Sequence, residues 1–169
     1  MEELIYFRVN QTLGVQDYTE FSKKLTAVKM VRITYIILSV LLLGISVLML
    51  ALEQGATAII WAIIAVSAII LLIRYPKIMG NNLFKNSQKV HNSNLLQGET
   101  VFCEEHIFDN SRNSSLTLEY SQFEKIIETN EHFFLMITKT TGLILRKDSF
   151  TQGDINQFRG FIASKSHIF

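Results

Sequence analysis

The chain has 169 residues, 49% hydrophobic and 18% charged, with a net charge of +1 and a mean hydropathy of +0.25. That charge excludes the strong positive field that draws nucleic acid, and the length suits one small domain with a membrane element. A single cysteine, Cys103, excludes an internal disulfide and suits a reducing compartment for the soluble part.

In chain order, Leu4, Tyr6, Arg8 and Asn10 alternate with Ile5, Phe7 and Val9, which predicts a short, mostly buried strand. Asp17 with Glu20 three positions on resembles a capping box. Tyr18, Phe21, Leu25 and Val28 then recur at helical spacing, predicting an amphipathic helix that runs straight into the first apolar segment. Lys23 and Lys24 fall on or near its polar face. Such a helix either lies against anionic lipid or packs on the soluble domain.

Residues 33–52 and 56–73 are two apolar runs without a charge. At about 1.5 Å per residue they reach roughly 30 and 27 Å, against a hydrocarbon core about 30 Å thick. The link between them is Glu53, Gln54 and Gly55, so an antiparallel helical hairpin is expected, with Gly55 suited to the turn. A small chain cannot cover two helices that are apolar on every face, which excludes a soluble hairpin core. Lys23, Lys24, Lys29 and Arg32 precede the first run; Arg74, Lys77, Lys85 and Lys89 follow the second. The turn carries Glu53 and no basic residue, so both termini are expected in the cytoplasm, with the protein multi-pass in the cell membrane. Tyr35 and Tyr75 lie at the two cytoplasmic ends; Trp61 is either an outer-interface anchor or apolar filling. Ala58 and Ala62 form a small-xxx-small pair. No ionisable residue lies inside either run, which argues against an ion or proton pathway.

Past the second run, 75–97 is polar with scattered apolar positions. A helical extension past Pro76 is expected, then a loop ending at Gly98. Residues 99–147 read as antiparallel β structure. Short runs are expected at 100–103 and from Ile107, the latter closed by the turn-rich Asp109, Asn110, Ser111, Arg112 and Asn113. Leu116, Leu118 and Tyr120 alternate as in a half-buried strand. Residues 123–129 form a strand, or a single helical turn first. Residues 133–138 and 143–145 pair as a hairpin. Thr151 with Asp154 resembles a second capping box, before a helical face of Ile155, Phe158, Phe161 and Ile162. The expected fold class is therefore an α+β membrane protein: a two-helix transmembrane hairpin and a small antiparallel β domain closed by a C-terminal helix. Its expected divisions are 1–32, the N-terminal strand and juxtamembrane helix; 33–73, the hairpin; 74–98, an extension and linker; and 99–169, the cytoplasmic domain.

Two adjacent spans, then Gly98-Glu99-Thr100, His106-Ile107-Phe108-Asp109 and the stretch from Leu118 to Thr129 carry a family likeness. Phe133-Phe134-Leu135, Ile144-Leu145-Arg146-Lys147, Phe150 and the closing helix extend it. With these features the chain resembles the YcxB-like family of bacterial membrane proteins. The resemblance implies a small bacterial protein with a pleckstrin-homology-like (PH-like) cytoplasmic domain. It implies no activity and offers no catalytic or ligand residues.

The histidines, His91, His106, His132 and His167, show no metal-ligand spacing, and no phosphate-cradling glycine motif occurs. Cys103 and His106, three apart, would face opposite sides of a strand, unless a turn brought them together; Cys103 reads as a small core residue. Lys139, Arg146 and Lys147 read as a solvated sheet rim. No catalytic, cofactor or metal site is expected. The candidate lipid-contacting residues are Lys23, Lys24, Lys29, Arg32, Arg74 and Lys77. The function expected is a non-enzymatic, membrane-anchored interaction module that binds a protein, a peptide or inner-leaflet lipid. The alternative is an accessory subunit of a transporter, signalling or envelope-assembly complex. The expected partners are the bilayer and a protein, with homo-oligomers compatible and nucleic acid excluded.

Overall fold

The computed structural model describes residues 4–90, 96–111 and 114–166. Strand β1 (Phe7–Leu13) is followed by helices α1 (Val15–Lys24), α2 (Thr26–Ala51) and α3 (Gly55–Val90). Seven further strands come next: β2 (Leu96–Phe102), β3 (His106–Ser111), β4 (Ser114–Glu119), β5 (Lys125–Glu128), β6 (His132–Met136), β7 (Gly142–Arg146) and β8 (Phe150–Gln152). Helix α4 (Ile155–Lys165) closes the chain.

The strands form two antiparallel sheets, ordered β4-β3-β2-β1-β8 and β5-β6-β7. The first strand thus lies beside β2, in register over seven residue pairs from Phe7↔Phe102 to Leu13↔Leu96. Everything between those two strands, helices included, is an insertion into the sheet. Inward residues of both sheets meet in one core: Phe7, Val9, Phe102 and Ile107 from the first, Phe133, Leu135 and Leu145 from the second. Phe158 of α4 plugs this core, with ring centroids 5.2 Å from Phe7, 5.0 Å from Phe102 and 4.9 Å from Phe133.

All five residues of β6 are buried. Period-two alternation explains this: Phe133 and Leu135 face the core, while Phe134 and Met136 face a second cluster with Phe21, Leu25 and Val28. So α1 packs on the outer face of the small sheet. Its approach to α3 is close. A Cβ on Gly80 would sit 2.6 Å from Thr19 Cα, Ser22 Oγ donates to Pro76 O at 2.7 Å, and the Tyr18 and Phe84 rings are 5.6 Å apart.

The long helices differ from the rest in what covers them. Val47 is 66% and Ile73 70% exposed, and both helices are long and apolar enough to cross a membrane. Their mutual contact uses small residues: Ala58, Ala65 and Ala68 are buried, and Ser46 Oγ donates to Ala58 O at 2.9 Å. Ala62 is half-buried.

Several local expectations are corrected. The first strand begins at Phe7 rather than Leu4 and extends to Leu13. Helix α1 does not run into α2. Leu25 takes an extended conformation (φ −64°, ψ 135°), because its side chain turns fully into the cluster beneath β6. The cap there is Gly14, whose amide N donates to Asp17 Oδ2 at 2.7 Å, so Asp17 is the third helical residue and reaches back to the cap rather than being it. In the hairpin turn the left-handed residue is Glu53 (φ 59°); Gly55 already begins α3. Helix α3 extends past Pro76 as expected, reaching Val90, but the strand expected to begin at Thr100 starts at Leu96. Gly98 is a strand residue, 3.1 Å from Asn110 O to an added Cβ. Asp109, Asn110 and Ser111 belong to β3, where Asp109 Oδ1 accepts from Thr100 Oγ1 at 2.7 Å; Arg112 and Asn113 lie outside the described residues. At the last helix Asp154 itself is the cap, accepting from Asn156 N at 3.0 Å, while Thr151 sits in β8.

Candidate functional site

Two depressions flank the junction between the helices and the sheets. The first is a polar cleft of about 610 Å³ lined by the start of α1, by Lys77 of α3, and by residues 130–132 and 146–148. Its floor is a buried pair: His132 Nε2 lies 2.8 Å from Asp17 Oδ1. The other Asp17 oxygen takes the Gly14 amide, and the imidazole stacks on Phe134 at 5.4 Å. Most charges around the rim are satisfied locally. Arg146 pairs with Asp148 at 2.5 Å, Lys147 with Glu128 at 2.6 Å, and Lys23 with Glu20 at 2.5 Å. The Arg146 guanidinium holds the Asp148 carboxyl below its ordinary range, and Lys147, aided by Arg159, does the same for Glu128.

The second depression, about 510 Å³, lies between the end of α3 and the seam of the two sheets. Leu13, Leu83, Leu96 and Ile144 line it, and Val90 and Leu116, 77% and 51% exposed, also border it. Gln11 bridges the seam itself. Gln11 of β1 donates through Nε2 to Ile144 O at 2.6 Å and accepts Arg146 N at 2.9 Å, so an amide group stands in for a strand against β7.

At the far end of the large sheet, Tyr6 Oη and Lys165 Nζ both donate to Glu104. The carboxylate is held below its ordinary range by Lys165 first and Tyr6 second; the Tyr6 phenol is raised by the same bond. Cys103 and His106 do not share a strand: they close the tight turn between β2 and β3, with Cys103 N donating to His106 O at 2.9 Å. The Cys103 side chain is buried in the core. His91 and His167 lie outside the described residues.

Of the six candidate lipid-contacting residues, Lys23 is half-buried in its pair with Glu20, and Lys24 is half-buried at the end of α1. Lys29 and Arg32 on α2, and Arg74 and Lys77 on α3, are exposed and make no ion pair among the described residues. Lys77 alone of the six also enters the polar cleft's lining alongside His132. Sequence reading missed Asp17, His132 and Gln11. Asp17 fits a helix start by itself, His132 lies 115 positions away, and no periodic signal links them.

Neither the curated proteins nor the solved structures contain a match to the chain. Residues 102–162, from the end of β2 into α4, match the family model described as YcxB-like protein, and over that segment the resemblance read from the sequence holds.

Proposed function

We propose that the chain is a non-catalytic, membrane-anchored interaction module, with both termini and the β domain in the cytoplasm. One observation carries this reading: the exposed apolar hairpin is inserted between paired strands β1 and β2, so the anchor and the β domain form one structural unit. The excess of basic residues at the open end of the hairpin, with Glu53 at the turn, supports the orientation. Four consecutive antiparallel neighbours, a three-stranded second sheet and one closing helix support a PH-like reading of the domain. The partner surface we assign is the apolar depression bordered by Val90 and Leu116, where large apolar side chains stand in water.

The test is site-specific photocrosslinking in the full chain within cells, with probes at Val90 and Leu116 and control probes at Ser121 and Lys125. Capture of one protein species from the first two positions only, retained when both spans are exchanged for an unrelated hairpin, is the expected result. Capture lost on the exchange favours an accessory subunit whose spans make the contacts. No position-dependent capture ends the module reading.

A further inference from the structure

The basic residues at the base of the hairpin are arranged in tiers. Arg32 lies 19 residues before Ala51, the last residue of α2, and Arg74 lies 19 residues after Gly55, the first of α3. Lys29 and Lys77 are likewise each 22 residues from those ends. At helical rise the arginine tier stands about 29 Å from the turn and the lysine tier about 33 Å. The hydrocarbon core is about 30 Å thick, so the arginine pair falls at its edge and the lysine pair about one turn into the headgroups.

Residue type agrees with depth. A guanidinium is planar, weakly hydrated and suited to two hydrogen bonds on one phosphate, which is the requirement at the phosphate level. The compact, strongly hydrated ammonium occupies the wetter tier. All four are exposed and lack an ion-pair partner among the described residues. Their charge is therefore available to an external anion at a fixed depth.

The geometry points to a two-tier collar, Arg32 and Arg74 above Lys29 and Lys77, that binds the phosphate-bearing headgroups of anionic phospholipids in the leaflet next to the β domain. The collar rests on the membrane anchoring proposed above and adds the ligand class. A cation near an anionic surface contributes about 1 kcal/mol, or roughly fivefold in affinity.

The experiment titrates the full chain, in a non-ionic detergent, with dioleoyl phosphatidylglycerol and with dioleoyl phosphatidylcholine, and counts retained lipids by native mass spectrometry. The wild type should retain phosphatidylglycerol at least about fivefold more tightly. Arg32→Gln/Arg74→Gln should lose that preference, and Arg32→Lys/Arg74→Lys should keep only part of it, since the charge remains and the two-bond fork does not. Lys85→Gln/Lys89→Gln, exposed on α3 beyond the collar, should keep it fully. Equal retention of the two lipids by the wild type overturns the collar. So does a preference that survives Arg32→Gln/Arg74→Gln, or one lost equally in the Lys85/Lys89 control or in Arg32→Lys/Arg74→Lys. Helix content by circular dichroism shows that each variant is folded. Alkaline extraction of membranes tests anchoring separately: a chain that stays in the pellet without lipid preference refutes the collar alone, and one that is released refutes the anchor.

Discussion

His132 of β6 and Asp17 of α1 form a buried pair across 115 positions of sequence, with the whole apolar hairpin between them. It fixes the helix that precedes the hairpin to the sheet that follows it. Removing His132 leaves Asp17 Oδ1 buried without its partner, and removing Asp17 strips both the imidazole and the Gly14 amide; each costs about 1–3 kcal/mol. Asp17→Ala and His132→Ala are each expected to lower the thermal midpoint of the full chain in detergent by several degrees. The double variant should fall little further than the worse single one, because the two share one interaction. Additive losses would show that the residues stabilise the junction independently.

Gly80 offers a sharper probe of the same junction. Its added Cβ would meet Thr19 Cα at 2.6 Å, backbone that cannot move without shifting α1. Gly80→Ala is expected to destabilise by about 1–3 kcal/mol and to speed tryptic cleavage after Lys23 and Lys24. Gly44→Ala, with open space around it, is expected to stay within about 0.5 kcal/mol of wild type. Limited proteolysis of the two variants side by side checks both.

The rim ion pairs give the β domain an acid dependence. Lys147, aided by Arg159, holds Glu128 below its ordinary value near 4.5. A carboxyl whose folded value lies below its unfolded one contributes fully above the unfolded value. That contribution is lost as pH falls through the folded one. The midpoint of unfolding is therefore expected to drop as pH decreases below about 4.5, with a smaller drop in Glu128→Gln. Thermal scans across that window on both proteins measure the difference.

The pairing of β1 with β2 predicts which piece of the chain is a folding unit. Residues 96–166 alone lack the strand next to β2 and leave Phe102 and Phe158 without Phe7. They are expected not to give dispersed amide resonances. Residues 4–13 joined to 96–166 by an Asn-Gly turn across the Leu13↔Leu96 pair are expected to do so. Phe134 and Met136 must be made polar in that chain, since removing α1 bares them.

The parts legible in the sequence were those set by a single local rule. Two charge-free runs of membrane length announce the long helices, and Ile155, Phe158 and Ile162 announce α4 by spacing alone. The parts not legible depend on partners distant in sequence. Gly98 reads as a loop residue, yet it serves a strand because Asn110 approaches closely. Leu25 fits a helical stripe, yet the chain breaks there to bury it beneath β6. Gly55 suits the turn by composition, yet Glu53 takes the left-handed conformation, because the helix resumes at Gly55. At the candidate site the basic residues were found by counting charges, whereas Asp17, His132 and Gln11 needed the tertiary fold to meet.

The seven-pair β1–β2 ladder has a mechanical consequence. The chain passes from β1 through α1 to the hairpin, and α1 packs on α3 at Thr19–Gly80 and Ser22–Pro76, so the ladder and that packing together tie both legs to the sheet. A slip of one residue would turn every inward side chain of one strand outward, exchanging Phe7 and Val9 for Arg8 and Asn10 in the core. The legs therefore cannot piston past each other. Under the membrane anchoring proposed above, movement passing between the hairpin and the sheets would travel as tilt or rotation of the hairpin as a whole.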